Sequence, residues 1–226
     1  MTDRLVVDIW SDVMCPWCAI GYAQFRKAAE ELAGDVEVET RFMPFELNPD
    51  MGAEGRGQTA LLAANYRKSV VEVEAMRATV EAAAEEAGFP MDWRGPLPEP
   101  ERWVWNTHDA HKLLRWTLSV AGAEEQSALK QALFAAHFQS RLNVSDHEVL
   151  LDLAEEQGLD RKAAAEALGD EALSIAVRME EHRATQNGIT SVPTYVVNGK
   201  YILQGSSDPA SYKSALIKLA SMEAMA

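Results

Sequence analysis

The stretch LVVDIWSDVMCPWC, residues 5–18, decides the fold. Its first six residues are mostly apolar and β-branched, which is typical of a buried strand. The segment that follows, AIGYAQFRKAAEELAG at residues 19–34, carries apolar residues at helical spacing and stops at a glycine. The sequence therefore predicts a strand that leads directly into a helix, with Cys15 and Cys18 at the junction.

Both ends of the chain contain predicted strands. Residues 36–45, VEVETRFMPF, alternate apolar and charged side chains, as a strand with one solvated face does. A strand, helix and second strand in this order favour a right-handed crossover and a parallel strand pair, which puts the start of the helix at the carboxyl edge of the sheet. Residues 192–205, VPTYVVNGKYILQG, predict a hairpin with its turn at Asn198-Gly199, and a helix follows from Asp208.

A long segment rich in Ala, Glu, Leu and Lys lies between these ends. Residues 59–187 predict several packed helices and contain no fixed repeat, which indicates an insertion rather than a repeat array. We therefore expect an α/β protein with two domains. Residues 1–58 and 188–226 would form a discontinuous strand-containing domain, and residues 59–187 an all-helical insertion domain.

Composition narrows the range of functions. The 226 residues are 47% hydrophobic and carry a formal net charge of −14. So acidic a chain should repel phosphate backbones and anionic lipids, and we expect neither nucleic acid nor a membrane as a partner. The sequence has no apolar run long enough to span a bilayer, and its first residues are acidic where a secretory signal is basic. These features predict a cytoplasmic protein.

The chain contains only two cysteines, Cys15 and Cys18. A disulfide that closes so short a loop stabilises little, so catalysis explains the pair better than a structural bridge does. We expect Cys15 at the helix N-cap and Pro16 at the first helical position, where the helix dipole makes Cys15 more acidic than a free thiol. Cys15 is then the attacking thiol and Cys18 the resolving thiol, while Pro16 and Trp17 tune the redox potential and access.

A zinc site is the main alternative use of the two cysteines. His108 and His111 could complete a set of two Cys and two His ligands. Both histidines lie in a segment with the pattern of an amphipathic helix, where a hydrogen-bonded core histidine is the simpler interpretation. His137, between Phe134 and Phe138, also reads as packing. We therefore predict neither a metal nor an organic cofactor.

A proline near the second group of strands is the other candidate site residue. Pro193 lies between the glycine turn at Gly188 and the start of a strand. A proline there suits the first residue of a strand, and its peptide bond could be cis or an ordinary trans bond. The residues alone do not separate these two possibilities.

Four motifs together resemble a known family. They are the cysteine motif S-D-x-x-C-P-W-C, the distant V-P-T, F-E-L-N-P at residues 45–49 and N-T-x-x-A-H-x-L at residues 106–113. They resemble the thioredoxin superfamily, its DsbA-like branch and, more narrowly, the cytoplasmic FrnE-type oxidoreductases, over nearly the whole chain. The resemblance implies a thioredoxin fold with an inserted helical domain.

The resemblance also implies roles for individual residues. Cys15 matches the attacking cysteine of the family, Cys18 its resolving cysteine, and Pro193 the cis-proline that faces them. The backbone of Val192 would then bind an extended substrate strand. Trp17 stands where periplasmic members often have a histidine, which leaves the direction of electron flow open.

The resemblance implies protein or peptide thiols and disulfides as partners, with glutathione as a further candidate. We expect a monomer or a homodimer. The same branch contains glutathione-linked enzymes, the kappa-class transferases and the hydroxychromene-carboxylate isomerases, which resemble this chain in the order of their elements. In those enzymes the attacking position is usually a serine, whereas both cysteines are present here. A third alternative is a non-catalytic thioredoxin-like adaptor, which has no need for a paired thiol.

Overall fold

The computed structural model describes residues 3–223. Residues 1–2 and 224–226, which the sequence assigns to the ends of the strand-containing domain, lie outside this range. The strands, in chain order, are β1 (Asp3–Ser11), β2 (Val36–Pro44), β3 (Arg56–Gly57), β4 (Trp103–Val104), β5 (Thr194–Val197) and β6 (Tyr201–Gln204). The helices are α1 (Pro16–Leu32), α2 (Gln58–Tyr66), α3 (Val70–Ala87), α4 (His108–Val120), α5 (Ala123–Phe138), α6 (His147–Glu156), α7 (Arg161–Leu168), α8 (Glu171–Gln186) and α9 (Pro209–Glu223).

A four-stranded sheet in the order β2-β1-β5-β6 joins the two ends of the chain. Strands β1 and β2 are parallel, and the crossover between them is α1, as the sequence predicts. Strand β5 runs antiparallel to β1, and β6 antiparallel to β5. The turn between β5 and β6 has positive φ at both Asn198 and Gly199, a conformation that these two residues adopt readily.

Helices α1 and α9 pack on the sheet through aromatic side chains. The Phe25 ring on α1 stacks on Tyr195 of β5 with centroids 5.1 Å apart, and meets Tyr212 of α9 edge-on at 5.4 Å. All three side chains are buried. This cluster holds α1 against the strands at whose carboxyl edge the cysteines lie.

The helical segment attaches to the sheet at its β2 edge. The side chain of Gln126, on α5, accepts a hydrogen bond from the backbone N–H of Phe42 and donates one to the Phe42 carbonyl, both at 2.8 Å. The glutamine amide therefore pairs with β2 as a neighbouring strand would, which satisfies backbone groups that an edge strand leaves open. The helices are thus placed directly beside the strand that follows α1.

Residues 59–187 differ in one respect from the all-helical expectation. They contain β4, whose two residues pair antiparallel with β3. The Trp103 and Trp105 rings stack there with centroids 5.2 Å apart. The apolar, aromatic sequence WVW supports a short strand that a helix-rich composition conceals. The division into two domains stays a prediction.

Candidate active site

The cysteine motif forms the start of α1. Cys15 is the N-cap residue, with extended backbone angles, and Pro16 occupies the first turn. The backbone N–H of Cys18 donates to the Cys15 carbonyl at 3.1 Å, which closes that turn. This arrangement confirms the expected position of Cys15 at a helix N-terminus, where unpaired backbone N–H groups favour negative charge.

The two thiols differ from their neighbour Trp17 in exposure. Cys15 is 5% exposed and Cys18 1% exposed, whereas Trp17 is 42% exposed. Both cysteines pack with apolar residues of α1, α3 and α5, including Phe134. Both sulfur atoms are therefore largely shielded from solvent, and Trp17 is the exposed side chain of the motif.

The fold brings the distant proline segment to the attacking cysteine. The Val192–Pro193 peptide bond is cis. The Cys15 thiol lies 4.0 Å from the Val192 carbonyl oxygen, at the limit of a sulfur hydrogen bond. These residues are separated by 177 positions in the sequence, so only the parallel and antiparallel pairings of the sheet bring them together.

A glycine on α1 permits this close approach. A Cβ atom at Gly21 would lie 2.8 Å from the Tyr195 hydroxyl and 3.2 Å from Cγ of Pro193. The first distance is shorter than real Cβ contacts, so a side chain here would push α1 away from the start of β5. Gly21 therefore helps to set the distance between the cysteine motif and the proline segment.

The pKa of Cys15 departs from the sequence-based expectation. It is raised well above the ordinary thiol value, first by the hydrogen bond with the Cys18 thiol, then by burial and by repulsion from a negative Cys18. The Cys18 backbone N–H acts in the opposite direction but is weaker. Two buried neighbouring thiols cannot both ionise at low cost, so a negative charge on one opposes the ionisation of the other. The prediction that Cys15 alone is unusually acidic considered only the helix and missed this coupling.

A buried carboxylate lies next to the motif. Asp12 accepts hydrogen bonds from the backbone N–H groups of Met14, at 3.1 Å, and Leu47, at 2.7 Å. Burial alone would raise its pKa, but the His111 side chain and these two N–H groups together lower the pKa of Asp12 below its usual value. Asp12 is therefore a fixed negative charge close to the thiols, and it joins the β1–α1 turn to the F-E-L-N-P segment.

A fully buried lysine reaches the dithiol from the helical segment. Lys130, on α5, donates to the Ser11 carbonyl at 3.2 Å, and its ammonium lies 5.0 Å from the Phe134 ring centroid and 5.4 Å from that of Phe42. Burial lowers the pKa of Lys130 to about 8, although the negative charge on Cys18 acts to raise it. Lys130 is thus a cation, or a proton donor, beside the thiol pair at neutral pH.

The histidines do not assemble a metal site with the cysteines. Both ring nitrogens of His108 contact other side chains, Nδ1 with Glu46 at 3.2 Å and Nε2 with Ser174 at 2.7 Å. The His111 ring is buried, with Nε2 3.9 Å from Asp12. Within residues 3–223, no group of three or more His, Cys, Asp or Glu side chains could hold a metal ion. The structure gives no support to the zinc alternative.

A cavity of about 420 Å³ opens beside Cys15. Its wall includes Pro16, Trp17 and Val192 from the strand-containing part of the chain. The opposite wall comes from α2, α3, β4 and the end of α5, and is largely apolar and aromatic. The cavity therefore lies between the attacking thiol and the helical segment. Cys15 lines it, whereas Cys18 does not.

Comparison with known proteins identifies the family. Residues 6–217 match the family described as DSBA-like thioredoxin domain, which is most of the chain. This chain belongs to that family. The α/β fold is a DsbA-like thioredoxin fold with a helical region, as predicted, and it is the fold of DsbA-like thiol-disulfide oxidoreductases.

Individual relatives of this DsbA-like chain agree with that assignment. A probable DsbA oxidoreductase from Streptomyces coelicolor is 30% identical, with 95% of this chain and 89% of that chain covered and a TM-score of 0.81. The uncharacterized protein YwbO of Bacillus subtilis is 26% identical over 211 residues, 93% of this chain and 94% of that protein. The cytosolic disulfide reductase DsbM from Pseudomonas aeruginosa, solved with GSH, is 18% identical over 95% and 98% of the two chains, with a TM-score of 0.61, and shows the fold alone.

Sequence analysis gave no role to Asp12 or Lys130, and it considered His111 only as a zinc ligand or a core residue. Asp12 was visible in the S-D-x-x-C-P-W-C motif but received no role. Lys130 offers a weak signal, a lysine adjacent to the apolar stripe that Leu129, Leu133 and Phe134 form on α5. Its burial depends on which face of α5 meets the sheet, so the sequence alone could not separate it from a surface lysine.

Proposed function

We propose that this chain is a thiol-disulfide oxidoreductase or isomerase that exchanges disulfides with protein or peptide substrates through Cys15 and Cys18. The observation that carries the proposal is the position of Cys15, at the N-cap of α1 and beside the Val192 carbonyl. The helix N-terminus holds the attacking sulfur at the carboxyl edge of the sheet, and the extended backbone segment next to it offers a docking site for a substrate strand.

In the proposed exchange, the thiolate of Cys15 attacks a substrate disulfide. One substrate sulfur forms a bond to Cys15 and the other leaves as a thiolate. Cys18 then attacks the Cys15 sulfur, which releases the second substrate thiolate and leaves a Cys15–Cys18 disulfide. The proton that Cys18 must lose in this second step has a nearby acceptor in the neutral form of Lys130.

The neighbouring residues take supporting roles in this proposal. The N–H and C=O of Val192 bind the substrate backbone, which gives affinity with broad sequence tolerance. Pro193 fixes the start of β5 against α1 near Gly21. Pro16 restricts the first turn of the helix, and the exposed Trp17 ring shapes access to the sulfur. No metal or organic cofactor takes part in this chemistry.

The insulin disulfide-reduction assay with dithiothreitol tests the proposal before any natural partner is identified. We expect the wild-type protein to accelerate the appearance of turbidity and the Cys15→Ser variant to match the uncatalysed rate. If the wild-type protein gives no acceleration, dithiol exchange on protein substrates is excluded as its main activity.

A second candidate is a glutathione-dependent transferase or isomerase of the kappa-class or hydroxychromene-carboxylate isomerase type. The cavity beside Cys15 favours it, since its size suits a small-molecule ligand. The structure of DsbM contains GSH, which supports glutathione as a partner of either candidate activity. Isothermal titration with glutathione, in wild type and in Cys15→Ser, separates non-covalent binding from disulfide exchange.

The cytoplasmic location also stays a prediction, supported by a relative described as cytosolic. Among the helices in residues 3–223, none is both long enough and apolar enough to cross a membrane. The adaptor alternative makes a different prediction from ours. A Cys15→Ala, Cys18→Ala variant that kept full cellular function would favour an adaptor over an enzyme.

A further inference from the structure

Two sequence motifs have no role in the proposed exchange. They are F-E-L-N-P at residues 45–49 and N-T-x-x-A-H-x-L at residues 106–113. The structure brings both motifs to the carboxylate of Asp12, which lies beside the thiols. Leu47 of the first motif donates its backbone N–H to Asp12 Oδ2 at 2.7 Å. In the second motif, Nε2 of His111 lies 3.9 Å from Asp12 Oδ1.

Glu46, the residue before Leu47, carries a buried charge. Its side chain is only 1% exposed, and a buried carboxylate is costly unless charged or polar partners bind it. Glu46 Oε1 lies 3.2 Å from Nδ1 of His108, the first residue of α4, and accepts a hydrogen bond from Nη1 of Arg178 on α8. Two helices therefore fix the position of this side chain.

The second carboxylate oxygen of Glu46 lies near another acid. Within the part of the chain that the structure describes, Glu46 Oε2 and Glu181 Oε1 are buried and have no hydrogen-bond partner. Burial, followed by the negative charge of Glu46, raises the pKa of Glu181 to about 8, so Glu181 keeps its proton at neutral pH. Glu181 can donate that proton to Glu46, which leaves Glu46 as the ionised member of the pair.

One peptide unit connects Glu46 to Asp12. The N–H that Asp12 accepts belongs to the peptide bond between Glu46 and Leu47. A peptide bond is planar and moves as a unit, so a fixed Glu46 side chain restricts the direction in which this N–H points. Helix α4 contacts both carboxylates, because His108 and His111 lie three residues apart on one face of the helix.

We propose that Glu46 is a positioning residue for the dithiol: its carboxylate, fixed between α4 and α8, holds the Leu47 N–H on Asp12 and so keeps the charge of Asp12 beside the thiols. The inference rests on the proposed function and deepens it, because the charge beside Cys15 controls how readily the attacking thiol ionises. Glu46 acts through Asp12 and not on the sulfur atoms directly.

The effect of Asp12 on Cys15 makes this role measurable. The hydrogen bond with Cys18 is the largest cause of the raised pKa of Cys15, and the negative charge of Asp12 is a smaller cause in the same direction. Burial lowers the pKa of His111 below its ordinary value, so this neighbour of Asp12 stays neutral above pH 7. Lys130, with a pKa lowered by burial to about 8, is the same in every variant compared. A weaker field from Asp12 should therefore let Cys15 ionise more easily.

The ultraviolet absorbance of a thiolate measures this ionisation without a substrate. All variants are made in a Cys18→Ala parent, in which Cys15 is the only thiol, and the parent with Cys15→Ala added supplies the blank. The titration runs from about pH 6 to about pH 10, across the ordinary range of a thiol. In Glu46→Ala we expect the midpoint to move to lower pH, with about three- to tenfold more thiolate below the midpoint. Asp12→Asn should give a shift in the same direction that is at least as large.

Three further variants separate position from charge. When Glu46→Ala and Asp12→Asn are combined, the shift should equal that of Asp12→Asn alone, because the first residue acts through the second. Glu46→Gln keeps an oxygen that His108 and Arg178 can contact, so it should titrate like its parent. Glu181→Ala is the matched control from the same buried cluster. It leaves both partners of Glu46 Oε1 in place and should also titrate like its parent.

Three results would overturn the inference. They are an unchanged midpoint in Glu46→Ala, a shift in Glu46→Gln as large as that in Glu46→Ala, and additive shifts when Glu46→Ala is combined with Asp12→Asn. If Glu46→Ala does not fold, Arg178→Met takes its place, because it removes one partner of Glu46 at an exposed position of α8. A smaller shift to lower pH is expected there, and an unchanged midpoint would again overturn the inference. Failure of the proposed function looks different, because the titrations would follow these expectations while the wild-type protein failed to accelerate insulin reduction.

Discussion

The dithiol lies between two walls that differ in chemistry. The first, here called the strand-side wall, consists of Asp12, the cysteine motif and the Val192–Pro193 segment. The second, the helix-side wall, consists of His111 and Lys130, together with His137 and the arginines that line the cavity, which are Arg77, Arg102 and Arg141. The strand-side wall supplies the sulfur atoms, the backbone groups and one fixed carboxylate, whereas the helix-side wall supplies the cationic side chains and the histidines.

This difference separates two tasks. A thiol exchange needs its two sulfur atoms in fixed positions, and a sheet edge with a helix N-terminus provides that rigidity. The redox potential and the choice of partner depend on nearby charge, and the helical segment can change its charges without disturbing the strands. Changes in the strand-side wall should therefore abolish turnover, while changes in the helix-side wall should alter its potential, its pH dependence or its specificity.

The largest effect is expected from a thiol of the strand-side wall. In Cys18→Ala, Cys15 can still attack, but no thiol resolves the mixed disulfide, so steady-state turnover should fall by at least about a hundredfold. Mass spectrometry should detect substrates attached to Cys15. The matched control is Cys15→Ala, in which turnover is lost and no adduct forms. Adducts on Cys18 in that control would reverse the proposed roles of the two cysteines.

A change in spacing should have the next largest effect. In Gly21→Ala the new methyl group overlaps the Tyr195 hydroxyl and crowds Pro193, so α1 must move. We expect a loss of roughly 1–3 kcal/mol of unfolding free energy and a drop of about tenfold in turnover. Gly34→Ala is the control, because no atom lies within 4 Å of a Cβ atom at that position. Urea unfolding measures the unfolding free energy, and the insulin assay measures turnover. Equal effects in both variants would exclude a spacing role for Gly21.

Replacement of the buried lysine should change the redox potential more than the rate. In Lys130→Met the thiolate of the reduced pair loses a stabilising cation, so the reduction potential should become more negative by roughly 15–60 mV, since about 30 mV corresponds to about 1.4 kcal/mol. The control is Lys112→Met, another buried lysine, which donates to the Leu168 carbonyl away from the thiols. Equilibration with dithiothreitol measures both potentials, and equal shifts would contradict the assignment.

Lys130 also makes the unfolding free energy of the protein depend on pH. The pKa of Lys130 is lowered to about 8 in the folded protein, below that of an unfolded lysine, so folding releases a proton at pH values between the two. The unfolding free energy of the wild-type protein should therefore rise as the pH increases from about 8 to about 10.5. Below pH 8 the buried lysine is charged, and the full cost of burying that charge lowers the unfolding free energy. Lys130→Met removes this penalty, and its unfolding free energy should lack the rise.

The smallest effect on catalysis is expected from Glu181, a carboxylate that belongs to neither wall. Burial, followed by the negative charge of Glu46, raises the pKa of Glu181 to about 8. A raised acid pKa means that stability falls as the pH increases from about 4.5 to about 8. Glu181→Gln should weaken that fall and leave insulin reduction unchanged, which thermal unfolding at pH 6 and pH 8 can measure. Glu180→Gln, at the next position on α8, should keep the wild-type pH profile.

Local patterns in the sequence were sufficient for the elements and for the two thiols. The apolar run before Cys15 predicted β1, the alternating residues 36–45 predicted β2, and the Asn198-Gly199 pair predicted the turn after β5. Each of these depends on the preferences of neighbouring residues, which the sequence displays directly. The position of Cys15 at a helix N-cap followed from the same kind of local reasoning.

Predictions that depended on distant contacts were incomplete or wrong. The pKa of Cys15 was expected to be low because only the helix was considered, whereas burial and Cys18 dominate it in the structure. His111 was assigned to the core, and the structure places it beside Asp12 as well. The cis bond before Pro193 was one of two possibilities until the chain ends were paired.

By itself, the sequence determined the order of strands and helices and the position of Cys15 at a helix N-terminus. It also placed the second thiol, Cys18, in the first turn of that helix. Only the tertiary structure decided that Val192 meets Cys15 and that Lys130 is buried beside the thiols. The physical reason is range. Backbone propensity and side-chain periodicity act over a few residues, whereas burial and electrostatic fields depend on every element that packs around a site.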